Sequence, residues 1–480
     1  MKQKIIFFIV SIYCGIYSFA QHNPEDTPNV LFILVDDMGW KDTSYMGSNY
    51  YRTPNIDQLA SESLVFTRGY AGASNCAPSR AALLSGMSAP RTGIYTVGNS
   101  DRGDKRTRRL IPTPNNKILA DEVYTMAEMF QQAGYKTAHI GKWHLGESPL
   151  TQGFDVNVAG GHAGAPKTYF APFDHLGIDA PKGTYLTEYL TEKAKQFISA
   201  NKDNKFFLYM PFYTVHTPIQ PQLHRVDKYK NTKPDGLQNS AKYAGMIDAM
   251  DENVGEILNH LKELNLEKNT LIVFTSDNGG HLVHTWQKPL RGGKGTYYEG
   301  GIRVPLTIKW KGKIDSYRTN EPVSFLDFYP TFAELLNYSN SKQQMDGKSL
   351  LSFLTKGEKI PDRELVYHFP IYLQRYGRGE LESRDPLFRT RPGTVIIKQQ
   401  WKLHRYYEDN AIELYNLDKD ITERINLAEK EPEMVQELIQ AMDNWIVQIG
   451  APIPIKKNLT YDSRFEKVKI DKYLEKNSKK

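Results

Sequence analysis

The strongest constraint on the fold is a series of short apolar runs that alternate with segments of helical periodicity. Nearly continuous apolar runs cover residues 29–35, 136–140, 206–210 and 270–275. Such runs are typical of strands that are buried on both faces of a sheet. Helical patterns begin at Thr53-Pro54 and cover residues 124–133, 185–198 and 240–264. This alternation predicts an α/β fold with a large mixed, mostly parallel sheet flanked by helices.

The pattern changes near residue 360. Short strands are predicted at 394–397, 401–406 and 412–415, followed by an amphipathic helix at 434–449. We therefore predict a large α/β domain over residues 21–360 and a small C-terminal α+β subdomain with an antiparallel sheet over 361–460. The lysine-rich segment 461–480 is interpreted as a solvated tail.

Polar clusters follow each of the four apolar runs. They are Asp36-Asp37, Gly141-Lys142-Trp143-His144, His216-Thr217-Pro218 and Ser276-Asp277-Asn278-Gly279. In open α/β sheets, ligand sites lie beyond the carboxyl ends of the strands, so these clusters are expected to meet at one edge. Each cluster alone is weak evidence for a site, but four of them together predict one.

Two of these clusters contain side chains that offer only oxygen ligands: Asp36, Asp37, Asp277 and Asn278. Such a set suits Ca²⁺ or Mg²⁺ rather than zinc. A cation between adjacent carboxylates also relieves their repulsion. The alternative is that the first pair only caps a helix and the second only forms a turn.

The N-terminus predicts export. Lys2 and Lys4 precede an apolar stretch over residues 5–19, and small residues stand before a cleavage point after Ala20. This arrangement is typical of a cleavable signal peptide over residues 1–20, and an uncleaved anchor is the alternative. No later segment resembles a membrane span. The expected location is the periplasm, the cell surface or the medium.

Charge and cysteine content narrow the function further. Without the two lysines of residues 1–20, the formal net charge falls from +6 to +4, which suits an anionic substrate but gives no support to nucleic-acid binding. Of the two cysteines, Cys14 and Cys76, only Cys76 remains after signal cleavage. A lone cysteine in an exported protein is a buried thiol, half of an intermolecular bridge, or a group kept for its chemistry.

Cys76 stands in the segment Asn75-Cys-Ala-Pro-Ser-Arg-Ala-Ala-Leu-Leu-Ser-Gly86. Pro78 suits an early helical position and Gly86 a helix end, so Cys76 is predicted at a helix N-terminus, which favours negative charge. Arg80, one turn later, offers a planar fork of donors for an oxyanion. A buried structural thiol beside an arginine that pairs elsewhere is the alternative.

Cys76-Ala77-Pro78-Ser79-Arg80 with Leu84-Ser85-Gly86 resembles the signature of the type I, formylglycine-dependent sulfatases of the alkaline-phosphatase-like superfamily. The four strand-end clusters, Gly292-Gly293-Lys294-Gly295, Leu414-Tyr415-Asn416-Leu417 and Asn426-Leu427-Ala428 also resemble blocks of this family. The resemblance spans about residues 28–450. It implies that a separate maturation enzyme converts Cys76 to formylglycine (3-oxoalanine).

The resemblance also implies roles for individual residues. A hydroxyl of hydrated formylglycine at position 76 attacks sulfur, beside a Ca²⁺ or Mg²⁺ bound by Asp36, Asp37, Asp277 and Asn278 together with position 76. Arg80, Lys142 and Lys294 neutralise the sulfuryl oxygens. His216, with or without Lys294, protonates the departing oxygen, and His144 takes a proton from the second hydroxyl.

Substrate contacts are the least specific prediction. A basic stretch begins at Arg102 and continues to Arg109; it lines a cleft for a polyanion or, as the favoured interpretation, forms a solvated loop. His162 and Arg291 stand near the motif blocks and are candidate sugar contacts, as are Tyr169, His281, His284 and Trp286; core packing explains the aromatic residues equally well.

An exported hydrolase rich in Tyr and Trp favours a sulfated carbohydrate as substrate, of the ulvan, carrageenan or glycosaminoglycan type. Two alternatives stay open. One is a phosphoesterase or phosphonate hydrolase of the same superfamily, since some of those share the cysteine signature. The other is a non-catalytic binder of sulfated glycans in which Cys76 is unmodified.

Overall fold

A computed structural model describes residues 27–340, 343–376 and 382–478 of the chain. The predicted signal peptide over residues 1–20 lies outside the described residues. Among the helices that are described, none is both long enough and apolar enough to cross a membrane.

The strands are β1 (Asn29–Val35), β2 (Leu64–Tyr70), β3 (Lys136–Ile140), β4 (Val156–Val158), β5 (Phe206–Pro211), β6 (Thr270–Ser276), β7 (Arg303–Trp310), β8 (Arg318–Thr319), β9 (Val323–Ser324), β10 (Glu364–Phe369), β11 (Leu373–Gln374), β12 (Phe388–Thr390), β13 (Gly393–Lys398), β14 (Trp401–Tyr406) and β15 (Ile412–Asn416). The helices are α1 (Pro54–Ser61), α2 (Cys76–Ser85), α3 (Ala89–Thr92), α4 (Met126–Gln132), α5 (Leu186–Ala200), α6 (Leu223–Asp227), α7 (Ala241–Glu263), α8 (Glu299–Ile302), α9 (Phe328–Leu335), α10 (Leu351–Lys356), α11 (Pro432–Ile449) and α12 (Ser463–Ser478).

The large sheet has the strand order β4-β3-β5-β1-β6-β7-β2-β8, and β9 also pairs with β2. Its central strands β3, β5, β1 and β6 are parallel neighbours, whereas β7 runs antiparallel to both β6 and β2. The predicted mixed, mostly parallel sheet with flanking helices is confirmed. The antiparallel pair β2 and β7 is an addition to the strands predicted from the sequence.

Burial on both faces of the sheet explains the continuous apolar run of β1. Val30, Phe32 and Leu34 pack into one hydrophobic core, while the alternate residues Leu31 and Ile33 pack into a second core on the opposite face. The second core contains the apolar stripe of α7, as the helical spacing predicts. Side chains alternate between the faces of a strand, so a strand covered by helices on both sides has to be apolar throughout.

The C-terminal region contains a separate antiparallel sheet of order β10-β13-β14-β15, covered by Leu438, Met442 and Ile446 of α11. The sequence predicted three of these four strands. A short hairpin of β11 and β12 stands apart from this sheet. The predicted small antiparallel sheet is thus confirmed, while the domain boundary near residue 360 stays a prediction.

The C-terminal segment differs from the solvated tail that its lysine content predicts, because it forms α12 and packs on the protein. Glu466 accepts a hydrogen bond from Arg391 at 2.8 Å, Phe465 lies under the guanidinium of Arg106, and Tyr473 lies under that of Arg375. Most of the helix surface is exposed. A few residues that bind arginines are therefore enough to dock a helix that composition assigns to solvent.

Candidate active site

The predicted strand-end clusters meet at one edge of the large sheet. Since β3, β5, β1 and β6 are adjacent and parallel, their carboxyl ends face the same side. Backbone hydrogen bonds join the loops that follow them: Asp36 N donates to Thr214 O at 3.0 Å, and Asp277 N donates to Val35 O at 3.0 Å. The topology therefore brings together segments that lie far apart in the chain, such as Asn278 and Asp37 at a separation of 241 positions.

Three buried carboxylates each pair with a buried cation in this edge cluster, which we call the active-site cluster. The pairs are Asp36 with Lys142 (2.7 Å), Asp37 with Lys294 (2.7 Å) and Asp277 with Arg80 (2.8 Å). Arg80 also donates to the carbonyl oxygen of Lys142 at 2.7 Å. When all six side chains are ionised, their formal charges cancel.

Cys76 is the first residue of α2 and is only 1% exposed. Its Sγ lies 3.3 Å from Lys294 Nζ and 3.6 Å from Asp36 Oδ1. Gly86 ends the helix in the left-handed conformation, as predicted. Burial raises the pKa of the thiol to about 11, although Lys142 and Lys294 oppose this shift. The unmodified thiol is therefore a poor nucleophile at neutral pH.

The same cluster fits a hard divalent cation. Ligand atoms of Asp36, Asp37, Cys76 and His216 lie within 4.8 Å of one another. Asn278 Nδ2 donates to Asp37 Oδ1 at 2.9 Å, while Asn278 Oδ1 is buried and has no hydrogen-bond partner among the described residues. A buried oxygen without a partner is costly, and a cation supplies what it lacks. The predominance of oxygen ligands favours Ca²⁺ or Mg²⁺ over zinc.

The adjacent carboxylates have opposite pKa shifts. Burial raises the pKa of Asp36 to about 7, with Lys142 opposing the shift and Asp277 adding to it. Burial acts on Asp37 in the same direction, but the positive charge of Lys294, to which Lys142 adds, outweighs it and holds the pKa of Asp37 below its usual range. Two neighbouring acids in such different environments are typical of a functional site.

Two histidines complete the cluster. His216 Nδ1 donates to Thr217 O at 2.8 Å, which leaves its Nε2 3.5 Å from Asp37 Oδ2. Burial and the charge of Lys294 lower the pKa of His216 to about 3. The pKa of His144 is also lowered, by burial and by the nearby charge of Lys142, and its Nδ1 has no partner among the described residues. Both imidazoles are therefore neutral at pH 7 before ligands bind.

Comparison with known proteins identifies the family of this chain. Residues 28–338 match the family model described as Sulfatase, which covers more than half of the chain. The chain belongs to the sulfatase family. Residues 293–450 of the sulfatase match a second model, described as the C-terminal part of N-sulphoglucosamine sulphohydrolase. The predicted family and the predicted class of enzyme, a sulfuric ester hydrolase, are confirmed.

Relatives extend this likeness over most of the sulfatase. A protein of Formosa agariphila named Sulfatase is 34% identical, with 95% of this chain and 96% of the relative covered. Human N-acetylgalactosamine-6-sulfatase is 30% identical, with 71% and 68% covered. The crystal structure of Ps i-CgsB has a TM-score of 0.71 and 29% identity, with 87% and 92% covered. The same protein has been solved in complex with k-i-k-neocarrahexaose.

The structure does not bring Arg291, a predicted substrate contact, into the site of the sulfatase. Its guanidinium lies over the ring of Tyr298 and donates to Glu382 O at 2.9 Å, Tyr415 Oη at 3.1 Å and Glu423 O at 2.8 Å. These contacts commit Arg291 to packing against the C-terminal sheet. The contact between Arg291 and a sugar stays a prediction, and the structure places the side chain away from the active-site cluster.

Two other predicted sugar contacts, His162 and Tyr169, lie in different surroundings. His162 is partly buried and follows Gly161, whose carbonyl accepts a hydrogen bond from His144 N at 3.0 Å. Tyr169 is fully buried and donates to Tyr213 O at 2.6 Å, so it supports the loop of His216 rather than offering a stacking face.

The basic stretch is not uniformly solvated, since Arg108 is buried and pairs with Asp101 at 3.2 Å. Arg102 is half-buried beside Arg389. Arg389 was absent from the sequence-based candidates. It stands in a three-residue strand outside every recognised motif, so no signal in the sequence indicates it.

Proposed function

We propose that this sulfatase hydrolyses sulfate esters of a sulfated polysaccharide or its oligosaccharides after a maturation enzyme has converted Cys76 to formylglycine. The observation that carries the proposal is the position of Cys76, at the N-terminus of α2 and 3.3 Å from Lys294 Nζ, within a Cys-Ala-Pro-Ser-Arg segment. A relative named N-acetylgalactosamine-6-sulfatase and a neighbour bound to neocarrahexaose support a carbohydrate substrate.

Formylglycine supplies an aldehyde whose hydrate offers one hydroxyl for attack and a second for release of sulfate. Around it, the chain provides the positive charge that sulfuryl transfer needs. The N-terminal N–H groups of α2 favour negative charge at position 76. Lys294 and Lys142 carry ammonium groups within reach of the same position, and Arg80 adds a rigid guanidinium fork.

Asp36, Asp37, Asp277 and Asn278, together with position 76, would hold the cation, for which we propose Ca²⁺, with Mg²⁺ as the alternative. A divalent cation acts as a Lewis acid on a bound oxygen. Because the six charged side chains of the active-site cluster cancel, the cation gives the site a surplus of positive charge. This surplus complements the anionic sulfate ester.

His216 is the proposed acid for the departing oxygen, with Lys294 as a second candidate. The low pKa of His216 reflects burial and the charge of Lys294, and a bound sulfate ester opposes the effect of that charge. His144 is the proposed base. Its imidazole is neutral, its Nδ1 is unpartnered among the described residues, and it stands on the loop that carries Lys142.

We further propose that the protein is exported, to the periplasm or beyond the cell. The basic, apolar and small-residue pattern of residues 1–20 supports this.

The experiment that tests the function compares hydrolysis of aryl sulfate, aryl phosphate and a panel of sulfated oligosaccharides. Protein co-expressed with a maturation enzyme should show a mass about 18 Da lower at Cys76, from exchange of the thiol for an aldehyde. It should turn over sulfates, lose activity on chelation and regain it with Ca²⁺ or Mg²⁺. Faster turnover of phosphate or phosphonate esters would favour the related hydrolases. Binding of sulfated glycans without turnover would favour a non-catalytic binder.

A further inference from the structure

Arg389 is a buried cation without a carboxylate partner among the described residues. It is 3% exposed and stands on β12. Its Nε donates to Gln374 O at 3.0 Å and its Nη1 to Lys294 O at 3.1 Å. The guanidinium also lies over the ring of Tyr376, 3.6 Å from the centroid, and the ring of His281 stacks on Tyr376 at 4.1 Å. These contacts fix the orientation of Arg389 but leave its charge uncompensated.

Arg102 contributes a second guanidinium group near that of Arg389. It is half-buried, and among the described residues the groups that act on its charge are Arg389 and Tyr376, neither of which is a carboxylate. The loop that carries it is tied to the β11 region, since Tyr372 N donates to Ser100 O at 2.8 Å and Gly103 packs on the ring of Phe388. Burial and the positive charge of Arg389 lower the pKa of Arg102. Two arginines that repel one another are therefore held close by the fold.

This arginine pair is connected directly to the reaction centre. Arg389 binds the carbonyl oxygen of Lys294, whose ammonium group lies 3.3 Å from Cys76 Sγ. Gly295, with φ of +88°, permits the approach, because a Cβ at this position would lie 2.5 Å from Arg389 Nη1. The pair therefore lies next to the residue that would bind the sulfate ester under attack.

A purely structural role accounts for Arg389, which joins the β11–β12 hairpin to the Lys294 loop. It does not account for Arg102, which adds repulsion. We propose that Arg102 and Arg389 bind a second anionic group of the same glycan, a sulfate or a uronate carboxylate, beside the sulfate ester that is cleaved. Guanidinium forks match both oxyanions. The proposal rests on the proposed function, and it narrows the substrate to a glycan with at least two anionic groups close together.

The test compares disaccharides that differ only in the second anion. A monosulfated disaccharide that the wild type cleaves is paired with its disulfated counterpart and with a counterpart that carries a uronate. Arg102→Gln should lower kcat/KM for the substrates with a second anion by about 10–100-fold, mainly through KM, and should affect the monosulfated substrate much less. If kcat/KM falls more for the disulfated disaccharide, the second anion is a sulfate; if it falls more for the disaccharide with a uronate, it is a carboxylate.

Lys105→Gln is the matched control, because it removes one positive charge from the same stretch at an exposed position and should change neither rate. A readout that does not depend on turnover comes from calorimetric titration of the Cys76→Ala protein with the disulfated disaccharide. Adding Arg102→Gln should weaken that binding by a similar factor. Equal losses on all substrates, or unchanged binding in the titration, would overturn the subsite. Absence of sulfate ester hydrolysis by the wild type would instead overturn the proposed function.

Discussion

Two buried clusters of charge in this sulfatase have similar composition and different surroundings. The active-site cluster lies at the strand ends of the large sheet. The second, which we call the interface cluster, consists of Glu299, Arg303, Lys402 and Glu423. Lys402 lies 2.9 Å from Glu299 and 3.0 Å from Glu423, and Arg303 lies 3.1 Å from Glu299. It joins α8 and β7 of the catalytic region to β14 of the C-terminal sheet.

The two clusters differ in whether a potentially reactive side chain lies among the ion pairs. In the interface cluster, backbone and phenol groups occupy carboxylate oxygens, since Glu299 N donates to Glu423 and Tyr70 Oη donates to Glu299. The active-site cluster instead surrounds a free cysteine, Cys76. Buried ion pairs alone therefore do not identify a functional site; ion pairs around a nucleophile at strand ends do.

Replacement of Cys76 should affect the activity of the sulfatase far more than its stability. Cys76→Ala should reduce sulfatase activity by at least about 10⁴-fold, because it removes the precursor of the nucleophile. The free energy of unfolding should change by only about 1 kcal/mol, since one sulfur atom is lost from a packed site. Steady-state assays and urea titration measure the two quantities. Activity retained by this variant would contradict the assignment of Cys76.

His216→Ala and His144→Ala separate the roles of the two histidines in the active-site cluster. Loss of a general acid should slow hydrolysis of a sugar sulfate by about 10²–10⁴-fold, because a sugar alkoxide needs a proton to depart. A nitrophenyl sulfate has a stable leaving group, so its hydrolysis should slow much less. His144→Ala, the matched variant, should slow both substrates alike. The reverse pattern in the kinetic assays would mean that the two roles are exchanged.

Lys402→Met tests the interface cluster by removing the cation shared by Glu299 and Glu423. The variant should lose about 3–5 kcal/mol of stability, because it leaves two buried carboxylates without their common partner. Activity per folded molecule should be retained. Lys398→Met is the control, since Lys398 makes partly exposed pairs with Glu364 and Glu437 and should cost at most about 1 kcal/mol. Similar losses of stability in urea titrations of both variants would show that the buried pairs of Lys402 stabilise the fold no more than the partly exposed pairs of Lys398.

The smallest effect is a dependence of stability on pH. Burial raises the pKa of Glu423 to about 7 from an ordinary value of 4.5, with Lys402 opposing the shift and Glu299 adding to it. The folded state therefore holds this proton more tightly than the unfolded chain. Stability from Glu423 is present below pH 4.5 and is lost as pH rises to about 7, by up to roughly 3 kcal/mol.

Glu423→Gln removes this titration while keeping a similar side chain. The difference in unfolding free energy between wild type and variant should therefore change steadily between pH 4.5 and 7. Urea titrations across this range measure it. A constant difference would show that Glu423 is ionised in the folded protein at all of these pH values.

The sequence predicted most of the fold because the relevant signals are local. The apolar run of β1 and the helical stripe of α7 each report burial within one segment, and both elements form within a residue of their predicted bounds. The strands β2 and β7, which run antiparallel to each other, were missed. They are paired through contacts between segments more than 200 residues apart, which no local pattern records.

For the site, the sequence shows which chemical groups are present: a lone mature cysteine, oxygen ligands after two strands, and cations and histidines in recognisable motifs. Which of these groups bind one another depends on the tertiary structure. It paired Arg291 with the C-terminal region, brought Arg389 to Lys294 across 95 positions, and docked α12 on Arg391 through Glu466. The physical reason is that residue type fixes which groups a side chain can bind, whereas the packing of distant elements fixes which of those groups is within reach.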